Sequence, residues 1–134
     1  MNDFWFKCDK ISGFLVGCLL KKMSLDEAWY LMLNSEQGRG ILNNEYYYVY
    51  RLQGRTSAYK AIEASEVKFK KHRISYDLNI EKFNLLAAFI EDVHTKLNIP
   101  YEDIFKKMSI DKFFKKFGDF LGNYDLKLAR NFLL

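Results

Sequence analysis

Leu19-Leu20-Lys21-Lys22-Met23-Ser24-Leu25-Asp26-Glu27-Ala28-Trp29 reads as the end of one helix joined at once to the start of the next. Lys21 and Lys22 place cations where a helix macrodipole ends negative. Ser24 is an N-cap whose hydroxyl can accept from a backbone N–H one turn in, and Glu27, three residues on, completes a capping box. The pattern returns as Ile104-Phe105-Lys106-Lys107-Met108-Ser109-Ile110-Asp111-Lys112-Phe113-Phe114, with Lys-Lys-Met-Ser-aliphatic-Asp unchanged. Here Met108 precedes the Ser109 cap and Phe113 is placed to meet it as a hydrophobic staple. Two tight helix–helix corners predict a small all-α domain. A duplication explains them, and so does convergence on one capping solution, since the flanking residues diverge.

The segments around the corners carry helical periodicity. Phe4, Ile11, Phe14, Leu15, Cys18, Leu19 and Met23 recur at helical spacings, which predicts a helix from Phe4 to Lys22. Leu25, Ala28, Trp29, Met32 and Leu33 give the next helix an apolar face, with Gln37-Gly38-Arg39-Gly40 as its stop. Asn79 or Asp77 caps a helix over Ile80–Leu97, whose Phe83, Leu86, Ala87, Ile90, Val93 and Leu97 share one face. Asn98 and Pro100 mark a stop and restart. Ile110, Phe113, Phe114, Phe117, Phe120 and Leu121 form an aromatic stripe, and Gly122-Asn123 leads into a last helix.

The middle is less regular. Tyr46-Tyr47-Tyr48-Val49-Tyr50 favours strand on propensity, but Leu42, Tyr46, Val49 and Tyr50 also share a helical face. Thr56 or Ser57 can cap a short helix through Ile62. Glu66–Tyr76 starts by alternating apolar and basic residues, which predicts a connecting strand or an extended linker, and is the candidate joint between halves. The expected architecture is a single helical domain over 1–134, a compact bundle of five to seven helices with room for a short extended middle segment.

The bulk numbers bound the class. A chain of 134 residues suits one domain, and 49% apolar and 17% aromatic residues argue against disorder. The net charge of +4, from 21 basic and 17 acidic residues, permits nucleic acid or an acidic protein as partner and demands neither. Cys8 and Cys18 cannot make a disulfide framework, so free buried thiols and a reducing, cytoplasmic setting are expected. No apolar run approaches the ~18–20 residues that span a bilayer, and Met1-Asn2-Asp3-Phe4, without a basic n-region or a small-residue cleavage site, carries no expectation of a signal peptide.

Catalytic signatures are missing. There is no G-x-S-x-G, G-x-x-x-x-G-K-[ST] or G-x-G-x-x-G. Glu91 and His94 stand at a spacing that can place both on one metal, but a di-metal carboxylate site needs two such steps. A surface ion-pair network of Glu91, Asp92, His94 and Lys96 is the simpler reading. No catalysis, cofactor or metal is expected. The corners do not look like DNA readers either, because a recognition helix needs an exposed polar face and these helices carry Trp29, Tyr30, Phe113 and Phe114.

Three features point to binding. Gln37-Gly38-Arg39 and Gln53-Gly54-Arg55 could form backbone nests for an anion, or be ordinary turns. The run Lys68, Lys70, Lys71, His72, Arg73, with Phe69 inside it, is the best electrostatic patch. Tyr46, Tyr47, Tyr48 and Tyr50 cannot all be buried on one element, and outward tyrosines beside Arg51 and Arg55 are interface composition.

The order of features from Phe14 to Tyr59 resembles a family. An apolar helix is followed by Met23-Ser24-Leu25-Asp26-Glu27-Ala28, then Leu31-Met32-Leu33-Asn34-Ser35, then Ile41-Leu42, Tyr47, Tyr50 and Tyr59. About a third of the chain thus looks like small uncharacterised bacterial helical proteins encoded beside ADP-ribosyltransferase-like toxin genes. The resemblance implies a partner protein and no catalysis.

The expectation is a non-enzymatic protein that binds and inhibits or neutralises a protein target, as an antitoxin does, or a phage-encoded inhibitor of a bacterial defence nuclease such as an anti-CRISPR. The expected interface is Tyr46, Tyr47, Tyr48, Tyr50, Arg51, Arg55, Lys68, Lys70, Lys71 and Arg73. The alternative is a basic nucleic-acid-binding module using the 68–73 run.

Overall fold

A computed structural model of the chain describes residues 3–44, 54–73 and 78–107. Among these, six helices occur and no strand: α1 (Asp3–Leu20), α2 (Leu25–Asn34), α3 (Glu36–Leu42), α4 (Gly54–Ala64), α5 (Ile80–Lys96) and α6 (Tyr101–Lys107). The all-α expectation holds. Of the second Lys-Lys-Met-Ser corner only the part through Lys107, the end of α6, is described. Its residues from Met108 on, the aromatic stripe after it and the tyrosine run 46–50 lie outside the described residues, as does Arg51.

The first corner closes with backbone chemistry added to the expected charges. The Lys22 N–H donates to Leu19 O at 3.0 Å and the Met23 N–H to Cys18 O at 3.2 Å, the two bonds of a Schellman motif. Lys22 carries the left-handed residue of that motif (φ 67°), where a side chain costs about 1 kcal/mol relative to glycine. Helix α1 therefore ends at Leu20, and Lys21 and Lys22 form the turn. The capping box is complete: Ser24 Oγ accepts from the Glu27 N–H at 3.1 Å, and Glu27 Oε1 accepts from the Ser24 N–H at 2.9 Å. Met23 and Ala28, the two staple positions, are both buried.

The expected glycine stop at 37–40 is corrected. Helix α2 ends three residues earlier, and Ser35 serves twice. Its N–H donates to Leu31 O, closing α2, and its hydroxyl accepts from the Gly38 N–H at 2.9 Å, opening α3. Gly38 is helical because the turn is so tight: a Cβ there would stand 2.2 Å from Met32 O. Helix α4 likewise starts at Gly54, earlier than a Thr56 or Ser57 cap predicts, and Ser57 is buried inside it.

Helix α1 is the centre of the packing. Its Phe14, Leu15, Cys18 and Leu19 are fully buried, and it contacts α2, α3, α4 and α5. It meets α4 through small residues. Gly13 approaches Gly54 and Gly17 approaches Ala58, so the two helices run parallel with backbones nearly touching. Asn79 caps α5 by accepting from the Glu81 N–H at 2.8 Å. Asn98 takes the left-handed conformation (φ 53°) after α5, and α6 restarts behind Pro100. Phe105 of α6 stacks on Trp29 of α2 with ring centroids 4.2 Å apart.

Candidate functional site

The parallel course of α1 and α4 brings their C-terminal ends to the same end of the molecule. Lys21 reaches across, its ammonium 4.7 Å from the centre of the Tyr59 ring on α4. After Ala64 the chain turns at Ser65, whose hydroxyl accepts from the Val67 N–H at 3.1 Å. Residues 66–73 then cross this end as an irregular strap. Of the two expectations for this segment, linker and strand, the structure has the linker through residue 73.

The strap is tied down at named points. Phe69 is half-buried beside Tyr30, with ring centroids 6.4 Å apart. The Lys70 N–H donates to Glu27 Oε2 at 3.0 Å, and His72 Nε2 lies 2.8 Å from Glu27 Oε1. The His72 N–H donates to Lys22 O at 2.6 Å. Burial alone would raise the Glu27 carboxyl. The Ser24 and Lys70 N–H groups, the Ser24 hydroxyl and His72 outweigh that and hold it below its ordinary value.

Two basic segments distant in the chain meet here, joined by the His72 N–H on Lys22 O. Lys21 and Lys22 come from the first corner, and Lys68, Lys70, Lys71, His72 and Arg73 from the strap; all seven are exposed. Beside them Tyr30 is 48% and Val67 45% exposed, high for residues of that kind. Tyr30 and Val67 also line a groove of about 360 Å³ between the ends of α2 and α4, floored by Leu31 and Ala61 and edged by Glu36 and Glu66. Lys68, Lys70, Lys71 and Arg73, expected at the interface, are thus brought together. Arg55 is exposed but stands in the first turn of α4, roughly 14 Å along the helix from Ala64. Tyr46, Tyr47, Tyr48, Tyr50 and Arg51 lie outside the described residues. The sequence marks Glu27 only as a cap and Lys22 only as a helix-end cation; no local signal pairs either with residues more than 40 positions on.

The two glycine-arginine steps fare differently from expectation. Gly38 and Arg39 lie inside α3, which is not the turn that a backbone nest requires, while Gly54 and Arg55 open α4 and Gln53 lies outside the described residues.

A second polar cluster is buried. Lys7 Nζ donates to Leu42 O at 2.8 Å and to Tyr101 Oη at 2.7 Å, and stands 3.2 Å from Glu91 Oε2; Tyr101 Oη donates to Glu91 Oε1. Lys7 is 4% and Glu91 3% exposed. His94 stacks on Tyr101, and its Nδ1 is 2.8 Å from Ile99 O. This corrects the surface-network reading of Glu91 and His94. Of the four residues, Asp92 and Lys96 form the expected ion pair, at 3.6 Å, with Asp92 half-buried. The cluster ties α1, α3, α5 and α6 together, and its partners satisfy one another, so it is built to hold helices. Cys8 and Cys18 are free and buried, and burial pushes both thiols up to about 12, with Glu91 and Asp92 adding to the rise at Cys8. Neither is a thiolate nucleophile at neutral pH.

Among the described residues no three His, Cys, Asp or Glu side chains stand where they could hold a metal ion, and no helix is long and apolar enough to cross a membrane. Compared with protein-family models, curated proteins and solved structures, the chain has no match.

Proposed function

We propose that the protein is a non-enzymatic interaction protein that binds a protein target and inhibits or neutralises it, in the manner of an antitoxin or of a phage-encoded inhibitor of a bacterial defence nuclease such as an anti-CRISPR. The observation that carries the reading is the strap. It sets exposed cations beside exposed Tyr30 and Val67 at the end of the bundle. Aromatic and apolar anchors with a charged rim are the composition of protein interfaces, where a few such side chains supply most of the affinity. The cations favour a partner with an acidic face, since complementary potentials speed encounter and fix register. The resemblance of residues 14–59 to proteins encoded beside toxin genes agrees with a partner protein. A second reading, a nucleic-acid-binding module, draws on the same row of lysines and arginine.

The test is capture of partners by tagged protein from its native host at physiological salt, with and without nuclease, in parallel with Lys71→Glu/Arg73→Glu and Tyr30→Ala. The expected result is one stoichiometric protein that survives nuclease and is lost with both variants. Nuclease-sensitive capture that ignores Tyr30→Ala would overturn the inhibitor reading. In that case log affinity should fall with log salt at a slope of about −0.9 per phosphate contacted on duplex DNA, the nucleic-acid signature.

A further inference from the structure

Glu27 has more partners than a cap needs. A capping box uses one carboxylate oxygen for the N-cap N–H, and Glu27 Oε1 fills that role at 2.9 Å from the Ser24 N–H. Its other oxygen takes the Lys70 N–H at 3.0 Å, and Oε1 also pairs with His72 at 2.8 Å. With the His72 N–H on Lys22 O, the strap is held at alternate residues against the corner between α1 and α2. Lys71 lies between these two anchors, with Lys68 before them and Arg73 after.

We infer that Glu27 and His72 latch the strap, and that Glu27 is a positioning residue for the binding surface proposed above, on whose reading this inference rests. Each residue ordered on binding costs conformational entropy, so a strap already pinned binds with less loss than a loose one. The groups bonded to the Glu27 carboxylate are the Ser24 N–H at the cap and the Lys70 N–H and His72 ring on the strap, and Asp26 and Lys68 line the same shallow groove as Glu27. Glu27 is one negative charge beneath a positive surface. Charge and position therefore predict opposite outcomes. If Glu27 acted only as a charge, its removal would make the surface more positive and tighten an acidic ligand. If it positions the strap, removal loosens the strap and weakens that ligand.

The experiment compares Glu27→Ala with Ser24→Ala, which removes the hydroxyl half of the capping box and leaves the strap bonds in place, and with His72→Ala, a change on an exposed residue outside the cap. Two readouts are taken on the full chain: amide hydrogen exchange at Lys70 and His72, and affinity for poly-L-glutamate as an acidic polypeptide probe. The expected result is loss of protection at both amides in Glu27→Ala and His72→Ala, and roughly tenfold weaker probe binding in Glu27→Ala, with Ser24→Ala near wild type in both. Unchanged protection in Glu27→Ala overturns the latch. Lost protection with tighter binding overturns the positioning role. A wild-type protein that ignores the probe removes the acidic-partner reading, and with it the positioning role, while the exchange data still decide the latch.

Discussion

Each ammonium hydrogen of Lys7 has a partner, and that is why a lysine can be buried in the middle of this bundle. An ion pair taken out of water is tolerated only when hydrogen bonds satisfy what remains, as Leu42 O and Tyr101 do here. The energetic asymmetry is large. Lys7→Met leaves the buried Glu91 carboxyl without its cation, and should cost about 3–5 kcal/mol in urea denaturation. Lys7→Met/Glu91→Leu removes both charges and should recover more than half of that loss. A double variant as unstable as the single one would show that the pair is not the source of the effect. None of this was legible at the residue scale. Glu91 stands next to Asp92 and four residues from Thr95, a face that looks solvated in one dimension, and its real partner is 84 positions away. The two cysteines were legible, because apolar helical spacing around Cys18 already implied a buried thiol.

Helix-to-helix contact in this protein is set by glycine as much as by large apolar side chains. A Cβ on Gly54 would lie 2.3 Å from Lys10 O and 2.8 Å from Phe14 N, both backbone atoms that cannot rotate away. Gly54→Ala should therefore force α1 and α4 apart and destabilise by about 1–3 kcal/mol, despite alanine's better helix propensity. Thr56→Ala, two residues on and exposed, should stay within about 0.5 kcal/mol. Thermal or urea melts of the two variants check this, and equal stabilities would refute the close-approach argument. The same residue type explains why two boundaries differ from expectation, the end of α2 and the start of α4. Glycine marks a turn when it supplies a positive φ and a contact when it lets backbones meet, and sequence does not separate the two. Gly38 and Gly54 are contacts. Ser24, by contrast, was read correctly because its cap depends only on residues one turn away.

Helix α1 decides how the molecule behaves as a whole. It packs against α2, α3 and α4, which precede the candidate joint at 66–76, and against α5, which follows it. Unfolding either side strips the other of its core, so one cooperative transition is expected. Far-UV circular dichroism should coincide with the fluorescence of Trp29, which is buried against Phe105. Two separated transitions would show that the joint divides the chain. The basic surface also belongs to this scale. Its strap half was visible as Lys68–Arg73, but its union with Lys21 and Lys22 was not, since it depends on α1 and α4 running parallel. From its sequence alone the chain determined its helical class, the first corner and its cap, and the burial of the apolar stripes along α1, α2 and α5, because these rest on spacings of three and four residues and on hydrogen bonds within one turn. The tertiary structure alone decided that Glu27 holds the strap, that Lys7 meets Glu91 and that the two basic segments meet, because each joins residues far apart in the chain, and only packing brings them within reach.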